Sequence, residues 1–171
     1  VLGAYLFFHT ENRDNYTLPD IPEIDTKTIT GIKIKKGGTV IDFTKKQEKW
    51  TLTENAYPAD SYRIDNMLAA FKNFKLAALV SQDGDPGRYE LDEGKRIQVT
   101  LTADGKSVFD LFVGKTAPSF NHTFVMLKDN RSVYHAVGSF RSDFDNSVED
   151  FRDKKVLTFK KPSVKRITIE H

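Results

Sequence analysis

Apolar positions alternate with polar ones at both ends of this chain. Ile32 and Ile34 stand between Lys33 and Lys35, the period of a half-buried strand. Gly37-Gly38 follows as a hairpin turn. Val40 to Phe43 and Trp50 to Leu52 continue the meander around a polar turn at Lys45 to Lys49. The period then changes. Pro58 stops the strand, and Asp60 or Ser61 is placed to accept the orphan N–H groups of a first helical turn. Ile64, Met67, Leu68, Phe71 and Phe74 recur at helical spacing as a core-facing stripe.

Strands resume after the loop Asp83-Gly84-Asp85-Pro86-Gly87. Ile97-Val99-Leu101 turns at Asp104-Gly105 into Val108 to Val113. Phe124 to Leu127 and Val133 to Val137 pair across Asp129-Asn130. Phe140, Phe144, Val148 and Phe151 then predict a second helix that starts at Ser139, with Asp143, Asp145, Glu149 and Asp150 on its wet face. Lys155 to Lys160 and Val164 to Ile169 read as closing strands separated by Pro162. Hairpins rather than strand–helix crossovers predict an α+β domain: antiparallel meanders with two amphipathic helices packed on the sheet.

The end of the chain echoes its start. Val164, Ile167 and Ile169 repeat the spacing of Ile29, Ile32 and Ile34, which predicts an internal repeat. The expected organisation is a membrane-anchor stub over 1–8, a linker over 9–28 and a globular module over 29–160. Residues 161–171 are either the start of a second repeat unit or a closing strand, expected to pair beside Ile32-Ile34 or Val156-Phe159. The stub is wholly apolar, Val-Leu-Gly-Ala-Tyr-Leu-Phe-Phe, and ends abruptly in polar residues. It resembles the last turns of a membrane helix, although a full span needs roughly twenty residues. The linker carries Pro19, Pro22 and scattered acids without an apolar period.

At 171 residues the chain is long enough to bury a core, and thirteen Phe supply one. It has no cysteine, hence no disulfide framework and no thiolate metal site. The net charge of +2 is too small to imply a polyanionic partner. The seven basic residues from Arg152 onward could meet nucleic acid, but fit a Lys-protected strand edge better.

Candidate chemistry is sparse. No phosphate-binding glycine pattern and no nucleophile elbow occur. The Asp83/Asp85 loop has Gly87 and Gly94 where a calcium loop needs oxygen ligands. His122 and His135 are the two histidines that could meet, diagonally across the hairpin in one register and on opposite faces after a one-residue slip. Two His without a nearby carboxylate in sequence make a poor zinc site. Asn15-Tyr16-Thr17 and Asn121-His122-Thr123 match the glycosylation pattern, which has weight only in a eukaryotic secreted context. Trp50 reads as a core anchor. No catalytic, cofactor-binding or metal residue is assigned.

Several strings together resemble one bacterial family. They are Ile32-Lys33-Ile34-Lys35-Lys36, Lys49-Trp50-Thr51-Leu52, Tyr57-Pro58-Ala59-Asp60 with the Ile64 to Phe74 helix, Tyr89-Glu90-Leu91-Asp92, Phe112-Val113-Gly114-Lys115, Val133-Tyr134 and Phe151 to Leu157. The family is the domain of unknown function numbered forty-three-forty. The resemblance implies a module anchored by one N-terminal membrane helix, facing outside the cytoplasm and accompanying ABC transport systems of the gliding-motility kind. Units can occur more than once. It carries no catalytic residues. The family usually has prolines after the Tyr89-to-Asp92 turn, where this chain runs into Glu93-Gly94-Lys95.

The expected function is a non-enzymatic, membrane-tethered interaction or scaffold module of a transport or envelope assembly. Its partner would be a protein component of that assembly, with no nucleic acid, cofactor or identifiable small-molecule substrate. The alternatives are a metal-assisted hydrolase using His122 and His135, and a nucleic-acid-binding module using the basic C-terminal strands.

Overall fold

The structure, a computed structural model, describes residues 16–82 and 85–155. Eight strands form one antiparallel sheet. They are β1 (Gly31–Lys36), β2 (Thr39–Lys46), β3 (Lys49–Leu52), β4 (Leu76–Ser81), β5 (Ile97–Ala103), β6 (Lys106–Thr116), β7 (His122–Leu127) and β8 (Val133–Val137), in the order β3-β2-β1-β5-β6-β7-β8-β4. The helices are α1 (Ser61–Lys72) and two single turns, α2 (Arg141–Phe144) and α3 (Val148–Phe151).

The predicted hairpins form with their expected turns. Gly37 and the Gln47-Glu48 pair adopt left-handed φ values of 54°, 48° and 61°, matching the twist of the strands they join. Period-2 alternation fixes the register. Ile32 faces Leu101, Ile34 faces Val99, Val99 faces Leu111 and Val113 faces Val125. A continuous apolar face results, and it holds the main core.

Topology explains what covers each face. β3 and β4 lie at opposite edges, so the chain between them must cross the whole sheet. α1 is that crossing. Asp60 caps it, accepting from the Arg63 N–H at 3.2 Å, and Ile64, Met67 and Phe71 are buried beneath it. After β8 the chain crosses back. Phe140 and Phe144 meet Phe74 and Phe71 edge to face, and Phe151 meets Phe43 with ring centroids 5.1 Å apart. The five Phe of the predicted stripes, Phe71, Phe74, Phe140, Phe144 and Phe151, are all buried.

The α+β expectation of two amphipathic helices on meanders is overturned. Among the described residues the fold is essentially one eight-stranded antiparallel sheet with a single helix longer than one turn. The apolar spacing over Phe140 to Phe151 is helical, but Asp145-Asn146-Ser147 interrupts it. These side chains bond the backbone more readily than they continue a helix. Asn146 Nδ2 donates to the Ser142 carbonyl, and Ser147 leaves the helical region to form a capping box with Asp150.

β1 lies between β2 and β5, so the closing strand has no open edge beside Ile32-Ile34. The anchor stub, the Val156-Phe159 segment and the repeat itself lie outside the described residues. Within the linker, Leu18, Ile21 and Ile24 lie half-buried against the core. Trp50 also packs there, half-buried.

The two sheet edges differ. β3 is covered by Tyr57 to Ala59, which returns alongside it: the Leu52 N–H donates to the Tyr57 carbonyl and the Ala59 N–H to the Trp50 carbonyl. Arg152 bridges to Ala59 on the far side. β4 was not predicted as a strand. It pairs with β8 through two register irregularities, and no strand lies beyond it among the described residues.

Candidate functional site

The chain's second long crossing builds the site. β4 is at the edge and β5 lies between β1 and β6, so their connection passes over β8, β7 and β6. It covers the face opposite the main core. Asp85 starts a 3-10 turn at Pro86–Tyr89 by accepting from the Gly87 N–H at 2.9 Å. This capping is the role the structure gives Asp85. Glu90 takes a left-handed φ of 57°, which turns Leu91 into a small second core with Phe112, Ala117, Phe124 and Val133.

Two features seat this loop. Gly114 lets it approach the sheet, since a Cβ there would lie 2.3 Å from the Tyr89 carbonyl oxygen. Arg141 clamps it: Nη1 donates to the Val113 carbonyl at 3.2 Å and Nη2 to the Lys95 carbonyl at 3.0 Å, with Glu90 Oε2 at 3.4 Å.

His122 and His135 meet here. The register that pairs Phe124 with His135 puts the two histidines on one face, as the diagonal alternative required. Their rings stack 5.3 Å apart, and His135 also lies against Phe124, which touches Tyr89. His135 Nε2 is buried without a hydrogen-bond partner. Burial, and then the charge of His122, hold its pKa below the ordinary 6.5. Among the described residues, no three His, Cys, Asp or Glu side chains gather as a metal-ligand set. The C-terminal basic strands of the nucleic-acid alternative lie outside the described residues.

Farther along the same face, a cavity of about 520 Å³ is lined by Pro86, Leu91, Asp92, Glu93, Arg96, Met126 and Arg131. Arg96 stacks on Phe112 at 4.2 Å. Asp92 Oδ1 is buried without a partner. The two orphaned buried side-chain atoms among the described residues thus belong to one covered face. Buried polar atoms are normally paired, so the two stand apart from the other polar groups of this face. Sequence reasoning missed the cavity because its residues come from three separate segments.

The histidine pair has a pH consequence. Below about pH 6.5 the unfolded chain takes up a proton at His135 more readily than the folded chain does, so stability falls as pH drops through that value. The unfolding midpoint should therefore decline as pH falls through about 6.5, and His135→Gln should flatten the decline. A slope unchanged by the substitution would remove His135 as its source.

Comparison with known proteins adds one finding. A family model described as Domain of unknown function (DUF4340) matches residues 50–171. No curated protein and no solved structure matches the chain.

Proposed function

Because the chain belongs to the DUF4340 family, we propose that it is a non-enzymatic interaction module, tethered to the membrane outside the cytoplasm, in a transport or envelope assembly. The observation that carries the proposal is the β4 edge. Its sequence, Leu-Ala-Ala-Leu-Val-Ser, contains no charge and no proline. Proteins ordinarily blunt such an edge with Lys, Pro or a covering segment, as this chain does at β3; among the described residues β4 has none of these. An uncharged edge is a template for strand addition by a partner.

Phe120 supports the same reading. It is 76% exposed and holds a left-handed φ of 58°, a costly conformation for a bulky side chain. Strain that presents an aromatic ring to solvent suits recognition, and aromatic side chains are the commonest anchors of protein interfaces. The tether rests on the apolar run Val1 to Phe8 and the acidic stretch behind it. Among the described residues no helix is long and apolar enough to cross a membrane.

A photoreactive residue at exposed Ala77, in full-length protein expressed in its own cells, tests the proposal. A discrete adduct in the membrane fraction is expected from Ala77 and not from Thr51 on the covered edge. Ala77→Lys should weaken the association while leaving the fold intact. Full-length protein in the cytosolic fraction, or no adduct from any β4 position, would overturn it.

A further inference from the structure

We infer that the cavity between the Pro86–Arg96 loop and the β7–β8 turn binds a small zwitterion of the amino-acid or short-peptide class. The inference is independent of the β4 edge. Three observations converge on it.

The cavity is lined by charges of both signs that lack a close counter-charge among the described residues. Asp92 lines it with a carboxylate that forms no ion pair there. Arg131 is exposed and forms no ion pair among the described residues. Arg96 has one weak carboxylate partner, Glu93 at 3.5 Å, and Glu93 itself is 90% exposed. Asp92 and the two arginines line the same cavity without pairing with one another. A ligand that carries an ammonium and a carboxylate could bridge that gap.

Ligands of a single charge fit worse. A simple anion would gain Arg131 but sit beside Asp92 and Glu93. A simple cation would satisfy Asp92 but face Arg96 and Arg131. Like charges brought together in a partly desolvated site are costly. The zwitterion meets each charge with its opposite.

The third observation is the apolar wall. Pro86, Leu91 and Met126 offer hydrocarbon beside the charged groups, and Met adapts to varied apolar shapes. A volume of about 520 Å³ lies within the range of small-molecule sites. It suits one or two residues with aliphatic side chains. The ammonium would pair with the Asp92 carboxylate, the carboxylate would accept from Arg131, and the side chains would lie on Met126 and Leu91.

The test uses the whole 171-residue chain and the dipeptide Leu-Leu, with N-acetyl-Leu-Leu and Leu-Leu-amide as probes that each lack one charge. Titration is followed by calorimetry and by the Met126 methyl resonance. Leu-Leu should bind and shift that methyl, and each capped form should bind about tenfold more weakly. Arg131→Gln should reduce Leu-Leu affinity to that of the amide without lowering the unfolding midpoint. Absence of Leu-Leu binding at millimolar concentration would overturn the inference. So would capped forms that bind equally well, or a bound dipeptide that leaves Met126 unmoved. Loss of dipeptide binding would leave the Ala77 adduct unaffected, so the two proposals fail separately.

Discussion

Replacing Phe151 by alanine should lower the unfolding free energy by about 3–5 kcal/mol. Phe151 is fully buried and meets Phe43 edge to face. It also sits at a junction. Its carbonyl accepts from the Asp60 N–H at 2.8 Å, and the neighbouring Arg152 bridges to Ala59. The backbone here ties the cover of the β3 edge and the cap of α1 to α3, and the Phe151 ring anchors that backbone on the core. The ring is completely enclosed, so the loss should fall in the upper part of that range. Domains of this size are stable by about 5–15 kcal/mol, so the variant should sit near its folding threshold. Denaturant unfolding measures this directly. A loss below about 1 kcal/mol would mean that the β3 edge is not fastened through this residue.

The second large effect is expected at Gly114. Valine there would place Cβ 2.3 Å from the Tyr89 carbonyl oxygen, 2.9 Å from the Leu91 side chain and 3.1 Å from the Phe124 carbonyl oxygen. Two of the three neighbours are backbone and cannot swing aside. The Asp85-to-Arg96 loop must lift or β6 must shift, at a cost of about 1–3 kcal/mol for overpacking. Spectral changes should concentrate in the loop, Phe124 and Met126, and dipeptide binding should disappear with them. Gly38→Ala is the control, since a Cβ there meets nothing within 4 Å and Gly38 has no left-handed φ. If Gly114→Val folds with the loop in place, the close approach is not what seats it.

The sheet's interior was legible in the chain because strand register and buried face come from the same period. Ile32, Ile34, Val99 and Leu101 declare both their strands and their partners' faces. α1 was equally plain, since a capping Asp60 precedes a clean apolar stripe. The second helix failed for a local reason. Spacing counts apolar positions, whereas Asp145-Asn146-Ser147 acts on the backbone between them.

β4 was hidden by its composition. Leu-Ala-Ala-Leu-Val continues the helix-forming chemistry of α1, and at an edge its residues show no alternating burial. The change from helix to strand follows from Asn73 and from pairing with β8, a contact between residues far apart in sequence. The covered face was invisible for a related cause. Nothing in Leu91, Asp92 or Arg131 alone announces a cavity. The diagonal meeting of His122 and His135 could be foreseen because hairpin register leaves only two alternatives.

The measurement that bears most directly on the proposed function is amide hydrogen exchange along Leu76–Ser81. It should be compared between the purified chain and the full-length protein in its native membranes. An edge that receives a partner strand gains hydrogen bonds to its outward N–H groups, so slower exchange across β4 is expected in membranes, with β3 unchanged. Equal exchange at β4 in the two settings would contradict strand addition at this edge.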